Sequence, residues 1–131
     1  MPTYAIRELT QEFEVTARTL RFYEDKGLLT PIRQGVTRIY SEKDRVRLEL
    51  TLRGKRLGFS LDEIKDIIEM YDPDQPGDAT QLLYLCTKIR KHRKKLINKI
   101  NDIKEIFNLM DDIERRVFTA LAEQFRAAAA R

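Results

Sequence analysis

The chain has 131 residues, 42% of them hydrophobic and 35% charged, with no Trp, five Gly and four Pro. This excludes collagen-like, mucin-like and wholly disordered chains and suits one compact domain, or a small domain with an appendage. The net charge of +4 is modest, but eleven Lys/Arg stand against six Asp/Glu between Glu14 and Leu57, and Lys88–Lys99 holds seven basic residues and no acid.

Such basic stretches suit a polyanion such as nucleic acid, or simply a solvated face. No apolar run approaches the ~18 residues of a membrane helix, and Arg7 and Glu8 interrupt any signal-peptide core. A single cysteine, Cys86, excludes an internal disulfide and a multi-cysteine metal cage. The expectation is a cytoplasmic protein with no membrane partner and no cofactor.

In chain order, Ile6, Leu9 and Phe13 share one face of a short helix. Glu14-Val15 makes a tight connection, and Thr16 caps a second helix, Ala17 to Lys26, with Leu20 and Tyr23 inward and Gly27 ending it. Pro31-Ile32-Arg33, Gln34-Gly35 and Thr37-Arg38-Ile39-Tyr40 read as a hairpin. Ser41 with Asp44 caps a third helix whose Val46, Leu48, Leu50, Leu52 and Leu57 form a broad apolar face. Ser60 with Glu63 opens a fourth, with Leu61, Ile64, Ile67 and Ile68 inward. The stretch from Asp72, with Pro73, Pro76 and Gly77, cannot continue a helix. It separates a region 1–71 from a region 80–131, with a hinge at 72–79.

Beyond the hinge, Leu82, Ile89, Leu96, Ile103 and Met110 recur every seven residues. Cys86, Arg93, Ile100 and Phe107 follow four positions after the first four of these, a heptad seam that argues coiled coil. A helix of about 46 Å cannot bury that seam against its own small domain, so it needs a partner, most simply an identical chain. After Asp111-Asp112 a second helix, Ile113 to Phe125, is expected to fold back.

The second helix has the properties of a recognition helix: Thr16, Arg18, Thr19 and Arg21 face outward, the residue types that bond phosphates and base edges. Arg33, Arg38 and Tyr40 lie on the hairpin, which reads as a wing. The alternative is a coiled-coil adaptor whose basic surface binds acidic partners without sequence preference. No nucleophile-elbow sequence, Gly-rich phosphate loop or His to serve as a base is present, so no enzyme is expected.

Arg21-Phe22-Tyr23-Glu24, Gly27-Leu28-Leu29, Arg38-Ile39-Tyr40 and Leu57-Gly58-Phe59-Ser60-Leu61-Asp62-Glu63-Ile64 together resemble the MerR family of bacterial transcription regulators. The resemblance implies a mainly α fold, with a winged helix-turn-helix followed by a long helix that forms an antiparallel coiled coil. It implies a homodimer on a palindromic operator that bends and untwists the promoter for RNA polymerase. Carried onto this chain it makes Thr16, Arg18, Arg21 and Tyr23 on the second helix, and Arg38 and Tyr40 on the wing, the DNA contacts. Val36-Thr37 departs from the family's Asn-Gly and aromatic at the wing tip. Arg53 to Leu61 with Met70-Tyr71-Asp72 resembles the narrower LiuR-type regulators of leucine and isovalerate catabolism.

Metal-sensing members carry several cysteines, which the lone Cys86 does not supply, and His92 has no partner at metal spacing. The residues after Met110 are too few for the ligand domain of drug-sensing members. Arg90, Lys91, Arg93, Lys94 and Lys95 either meet a small-molecule effector of the acyl-CoA kind or solvate the coil.

Overall fold

The chain opens with a strand that the sequence did not announce. The computed structural model describes residues 2–131, and its elements run β1 (Thr3–Ala5), α1 (Ile6–Phe13), α2 (Ala17–Asp25), β2 (Ile32–Gln34), β3 (Thr37–Ser41), α3 (Glu42–Arg56), α4 (Leu61–Ile68) and α5 (Ala79–Ala129). They form two units, one ending at Gly77 and one beginning at Asp78.

In the first unit the sheet order is β1-β3-β2, both pairs antiparallel, with Tyr4 opposite Tyr40 and Arg33 opposite Arg38. A lone two-stranded hairpin is marginal in water, so β1 gives β3 the second neighbour it needs. An aromatic and ionic cluster holds β1 in place. The Tyr4 hydroxyl donates to the Glu42 carboxylate, and the Arg45 guanidinium lies 6.0 Å from the Tyr4 ring centre and 5.8 Å from that of Phe13. Arg45 also donates to Glu12 at 2.9 Å.

The helices start where side chains can satisfy their free N–H groups. Thr16 Oγ1 accepts the Thr19 N–H at 3.1 Å, Ser41 Oγ accepts that of Asp44 at 3.1 Å, and Ser60 Oγ accepts that of Glu63 at 3.1 Å. For α1, whose cap position is Ala5, Glu8 reaches back to the Ala5 N–H at 3.1 Å. Between α1 and α2 the backbone turns through Glu14 at φ 54°, a left-handed conformation rarely adopted outside glycine. That turn sets the angle between the two helices.

The core gathers Leu9, Leu20, Leu28, Leu29, Tyr40 and Leu48, all 0–1% exposed, with Tyr23, Phe59 and Ile64 at its edge. The apolar face of α3 is narrower than expected. Leu48 is buried and Leu52 packs against the core, whereas Val46, Leu50 and Leu57 are 39–43% exposed, as is Ile67 of α4 at 39%. Val46, Leu50 and Leu57 fall on a separate stripe of α3 at helical spacing, so both stripes cannot face one core. Thr51 takes a place on the buried stripe, its hydroxyl donating to the Arg47 carbonyl at 2.7 Å. Gly54 lets α4 come close: a Cβ there would stand 2.7 Å from Ile64 Cγ1.

The second unit is one helix. Asp78 caps α5 by accepting the Gln81 N–H at 2.9 Å, and Gln81 returns the bond to the Asp78 N–H at 2.8 Å. The helix then runs 51 residues without interruption, about 76 Å. The expected break at Asp111-Asp112 and the folded-back helix from Ile113 are therefore corrected. Neither Asp removes a backbone donor, and Asp112 is paired with Arg116 one turn on at 2.9 Å, which favours the helix.

Candidate nucleic-acid interface

α2 presents the basic surface. Its N-cap Thr16 is exposed, and Thr16 Oγ1 lies 3.0 Å from Thr19 Oγ1, so both hydroxyls are held at the first turn, with Thr19 half-buried. Arg18 and Arg21, three residues apart and therefore neighbours on one face, are exposed. Neither makes an ion pair among the described residues. Leu20 and Tyr23 fix the opposite face in the core, 0% and 6% exposed. Burial raises the Tyr23 phenol above its ordinary pKa. The outward cations are thus mounted on a helix that cannot roll. Lys26 covers the half-exposed ring of Phe22 at 5.5 Å, extending the cationic face to the end of α2.

The wing is tied to that helix by a residue to which sequence reasoning assigned no role. Glu24, near the end of α2, accepts from Arg38 Nε at 2.8 Å on one carboxylate oxygen and from Arg33 Nη2 at 3.2 Å on the other. Arg33 and Arg38 are direct cross-strand partners, a like-charge pairing that would destabilise the hairpin if left bare. Glu24 neutralises it. The signal was present in the sequence as an acid within a motif flanked by cations, but its partners lie beyond a turn. Burial alone would raise the Glu24 carboxyl, and the hydrogen bonds from Arg38 and Arg33 outweigh it, holding the pKa below the ordinary carboxylate value. A depressed carboxylate contributes stability above its unfolded pKa and loses it as pH falls through the folded value. The wing tether is therefore expected to hold at neutral pH and to release in acid. Protection of the Thr37–Ser41 amides, taken relative to their intrinsic exchange rates, should fall on acidification, and Glu24→Gln should lose that response.

Arg38 binds Glu24 through Nε, so this contact leaves its terminal nitrogens uncommitted, with the side chain 21% exposed; Arg33 is 60% exposed. Both remain available at the wing. Tyr40 does not. It shares a face of β3 with Arg38, but its ring is sealed among core residues at 0% exposure, and burial raises its phenol above the ordinary pKa. Its hydroxyl has no hydrogen-bond partner among the described residues. The expected DNA contact at Tyr40 is corrected, because two residues on one strand face can meet core at one end and solvent at the other. Tyr23 is likewise a core residue at 6% exposure, so it supports α2 from behind. Tyr40→Phe is expected to leave affinity for DNA unchanged and to shift stability by no more than about 1 kcal/mol, measured by anisotropy titration and chemical denaturation.

Gly35 turns the wing at φ 67° with open space around it, and Val36 beside it is 98% exposed. Arg47 of α3 anchors the base of the unit. It donates from Nε to the Leu28 carbonyl at 2.7 Å and pairs with Glu69 at 3.0 Å.

On α5 the seam residues lie along one stripe and are uncovered: Leu82, Ile89 and Leu96 are 36–39% exposed, Ile100 50%, Ile103 60%, Phe107 66% and Met110 57%. Cys86 is exposed too. No residue of α5 is buried. Among the described residues no group of three or more His, Cys, Asp or Glu side chains could hold a metal ion, and no helix is long and apolar enough to cross a membrane.

Residues 4–71 match the family described as MerR HTH family regulatory protein, and residues 45–113 match MerR, DNA binding. The chain is 33% identical over 118 residues to the HTH-type transcriptional regulator YfmP of Bacillus subtilis, covering 87% of this chain and 80% of that protein. Among solved structures it is similar to HiNmlR, a MerR family regulator lacking the sensor domain, bound to promoter DNA. That match has TM-score 0.59 at 27% identity, over 82% of this chain and 80% of the other. A putative MerR family regulator from Listeria monocytogenes superposes with TM-score 0.63 at 26% identity over the same shares.

Proposed function

The chain belongs to the MerR family of helix-turn-helix regulatory proteins, and from that premise we propose that it works as a homodimer on a palindromic promoter operator. As a member it is a DNA-binding transcription regulator, with homologues that are regulators and not enzymes. In the proposed dimer, two copies of α2 enter successive major grooves, about 34 Å apart along the duplex. Arg18 and Arg21, with the Thr16–Thr19 turn, address bases and phosphates there, while Arg33 and Arg38 brace the flanking backbone. The dimer bends and untwists the promoter so that RNA polymerase can engage it.

The observation that carries this reading is the pairing of an exposed, ion-pair-free Arg18–Arg21 face on a capped helix with a wing clamped to the same helix through Glu24. A non-specific basic adaptor has no need of a wing held at a set angle to one helix. That a similar protein, HiNmlR, was crystallised on promoter DNA supports the same assignment. The dimer is supported by α5, a helix that buries nothing on its own and lines up apolar residues at heptad spacing.

Two finer elements belong to the proposal. The Arg53–Leu61 stretch supports leucine and isovalerate catabolism genes as targets, and the Arg90–Lys95 cations would receive an acyl-CoA-like effector. Thermal-shift screening with acyl-CoA thioesters tests the second, since a ligand selective for the folded state raises the melting temperature. The first experiment is competition. The chain should retain a duplex from its own promoter against excess unrelated DNA, and release of that duplex would return the adaptor reading.

A further inference from the structure

The continuity of α5 through Asp111-Asp112 brings the segment after Met110 into the same helix, and the heptad continues into it. Val117 extends the Leu82–Met110 set, Leu121 extends the Cys86–Phe107 set, and Glu114 falls on the seam between them. The seam therefore carries two charged interruptions of opposite sign, Arg93 and Glu114. Both are exposed, and neither makes an ion pair within its own chain among the described residues.

Resting on the dimer reading above, with the antiparallel pairing that the MerR resemblance implies, we propose that the two copies of α5 meet in a single register. In that register Cys86 faces Val117 of the partner subunit and Arg93 faces Met110 of the partner subunit, and charge selects it. Parallel pairing would set each seam residue against its own copy, Arg93 on Arg93 and Glu114 on Glu114, two like-charge contacts with no counter-ion. Antiparallel packing instead matches one heptad set with the other. In the register given, the partner's Glu114 faces Ile89, one layer from Arg93 and about 6 Å away along the axis. That distance is within the reach of an arginine side chain.

The flanking positions make the same choice independently. Arg90 comes beside the partner's Asp111, and Leu83 beside the partner's Phe118. Leu83 and Phe118 are 69% and 61% exposed in the single chain and lie outside the seam, so the register covers large apolar surface that the seam alone leaves bare. Sliding one heptad toward a shorter overlap puts Arg90 beside the partner's Lys104. Sliding one heptad the other way sets Lys104 against its own copy and leaves Cys86 facing the partner's Gln124. Each shift exchanges an opposite-charge flank for a like-charge one, which suppresses the wrong pairing.

The single cysteine makes the register directly readable, because a disulfide forms only where Cα atoms approach within about 4.4–6.8 Å. Full-length Val117→Cys should convert under mild oxidation to a covalent dimer. Met110→Cys and Gln124→Cys, which would meet Cys86 in the two shifted registers, should not. Faster cross-linking of either of these, or cross-linking of the wild-type chain through Cys86 alone, overturns the register. So does a sedimenting dimer in which no variant cross-links, and that result leaves the dimer reading standing. A monomer in sedimentation overturns the dimer reading and the register with it. A charge exchange reads the same pair without oxidation. Arg93→Glu should weaken dimerisation roughly tenfold, and adding Glu114→Arg should restore it; a double variant no tighter than the single one contradicts the pairing.

Discussion

Arg21→Ala is expected to lower operator affinity by roughly 5- to 150-fold, about 1–3 kcal/mol, while leaving dimerisation and folding unchanged. Arg21 sits on the outward face of α2, whose inner face is fixed by Leu20 and Tyr23, and it makes no ion pair among the described residues. Its removal uncovers no buried partner and leaves no cavity, so stability should stay within about 0.5 kcal/mol of wild type. Anisotropy titrations on the promoter duplex and on a scrambled duplex separate two roles. If Arg21 reads a base edge, affinity falls on the operator and barely on the scrambled duplex. If it meets a phosphate, both fall together and the salt dependence flattens by about one ion. Unchanged affinity on both would remove α2 from the groove.

Asp44→Ala should be the most destabilising single change at a polar residue, about 2–4 kcal/mol in chemical denaturation. Asp44 is 2% exposed and both carboxylate oxygens are committed. Oδ1 accepts the Thr30 N–H at 2.9 Å; Oδ2 accepts the Ser41 N–H at 3.1 Å and the Ser41 hydroxyl at 3.2 Å. One side chain thus fastens the segment after α2, the end of the wing and the start of α3. Alanine leaves those three part-buried hydrogen bonds without their acceptor. Asp44→Asn, which keeps one acceptor oxygen, should lose distinctly less. Equal losses for the two variants would mean that packing, and not the hydrogen bonds, sets the effect.

Local chemistry made much of this unit legible in advance. The Ser41–Asp44 and Ser60–Glu63 spacings name their own caps, and Gly27 and Gly35 mark turns at φ 76° and 67°. What escaped depends on contacts distant in sequence. β1 is three residues long, and its reason to be a strand is the open edge of β3 more than thirty positions later. The burial of Tyr40 could not be read from alternation, because Arg38 occupies the same face of β3 and meets solvent. Glu24 was visible as part of a motif, yet its task became apparent only when the register placed Arg33 beside Arg38. The continuity of α5 was misjudged for a simpler reason. A pair of aspartates looks like punctuation, but without Pro or Gly the backbone has no cause to leave the helix. Of the DNA contacts expected from sequence, Arg18, Arg21, Arg33 and Arg38 stand where solvent reaches them, while Tyr23 and Tyr40 are structural supports.

Sedimentation of the purified chain at micromolar concentration, alone and mixed with a duplex from its promoter, bears on all of this at once. Two copies in solution and two copies per duplex are the outcome required by paired reading heads on a shared α5 stem. A stable single chain that binds promoter and scrambled duplexes alike would contradict it.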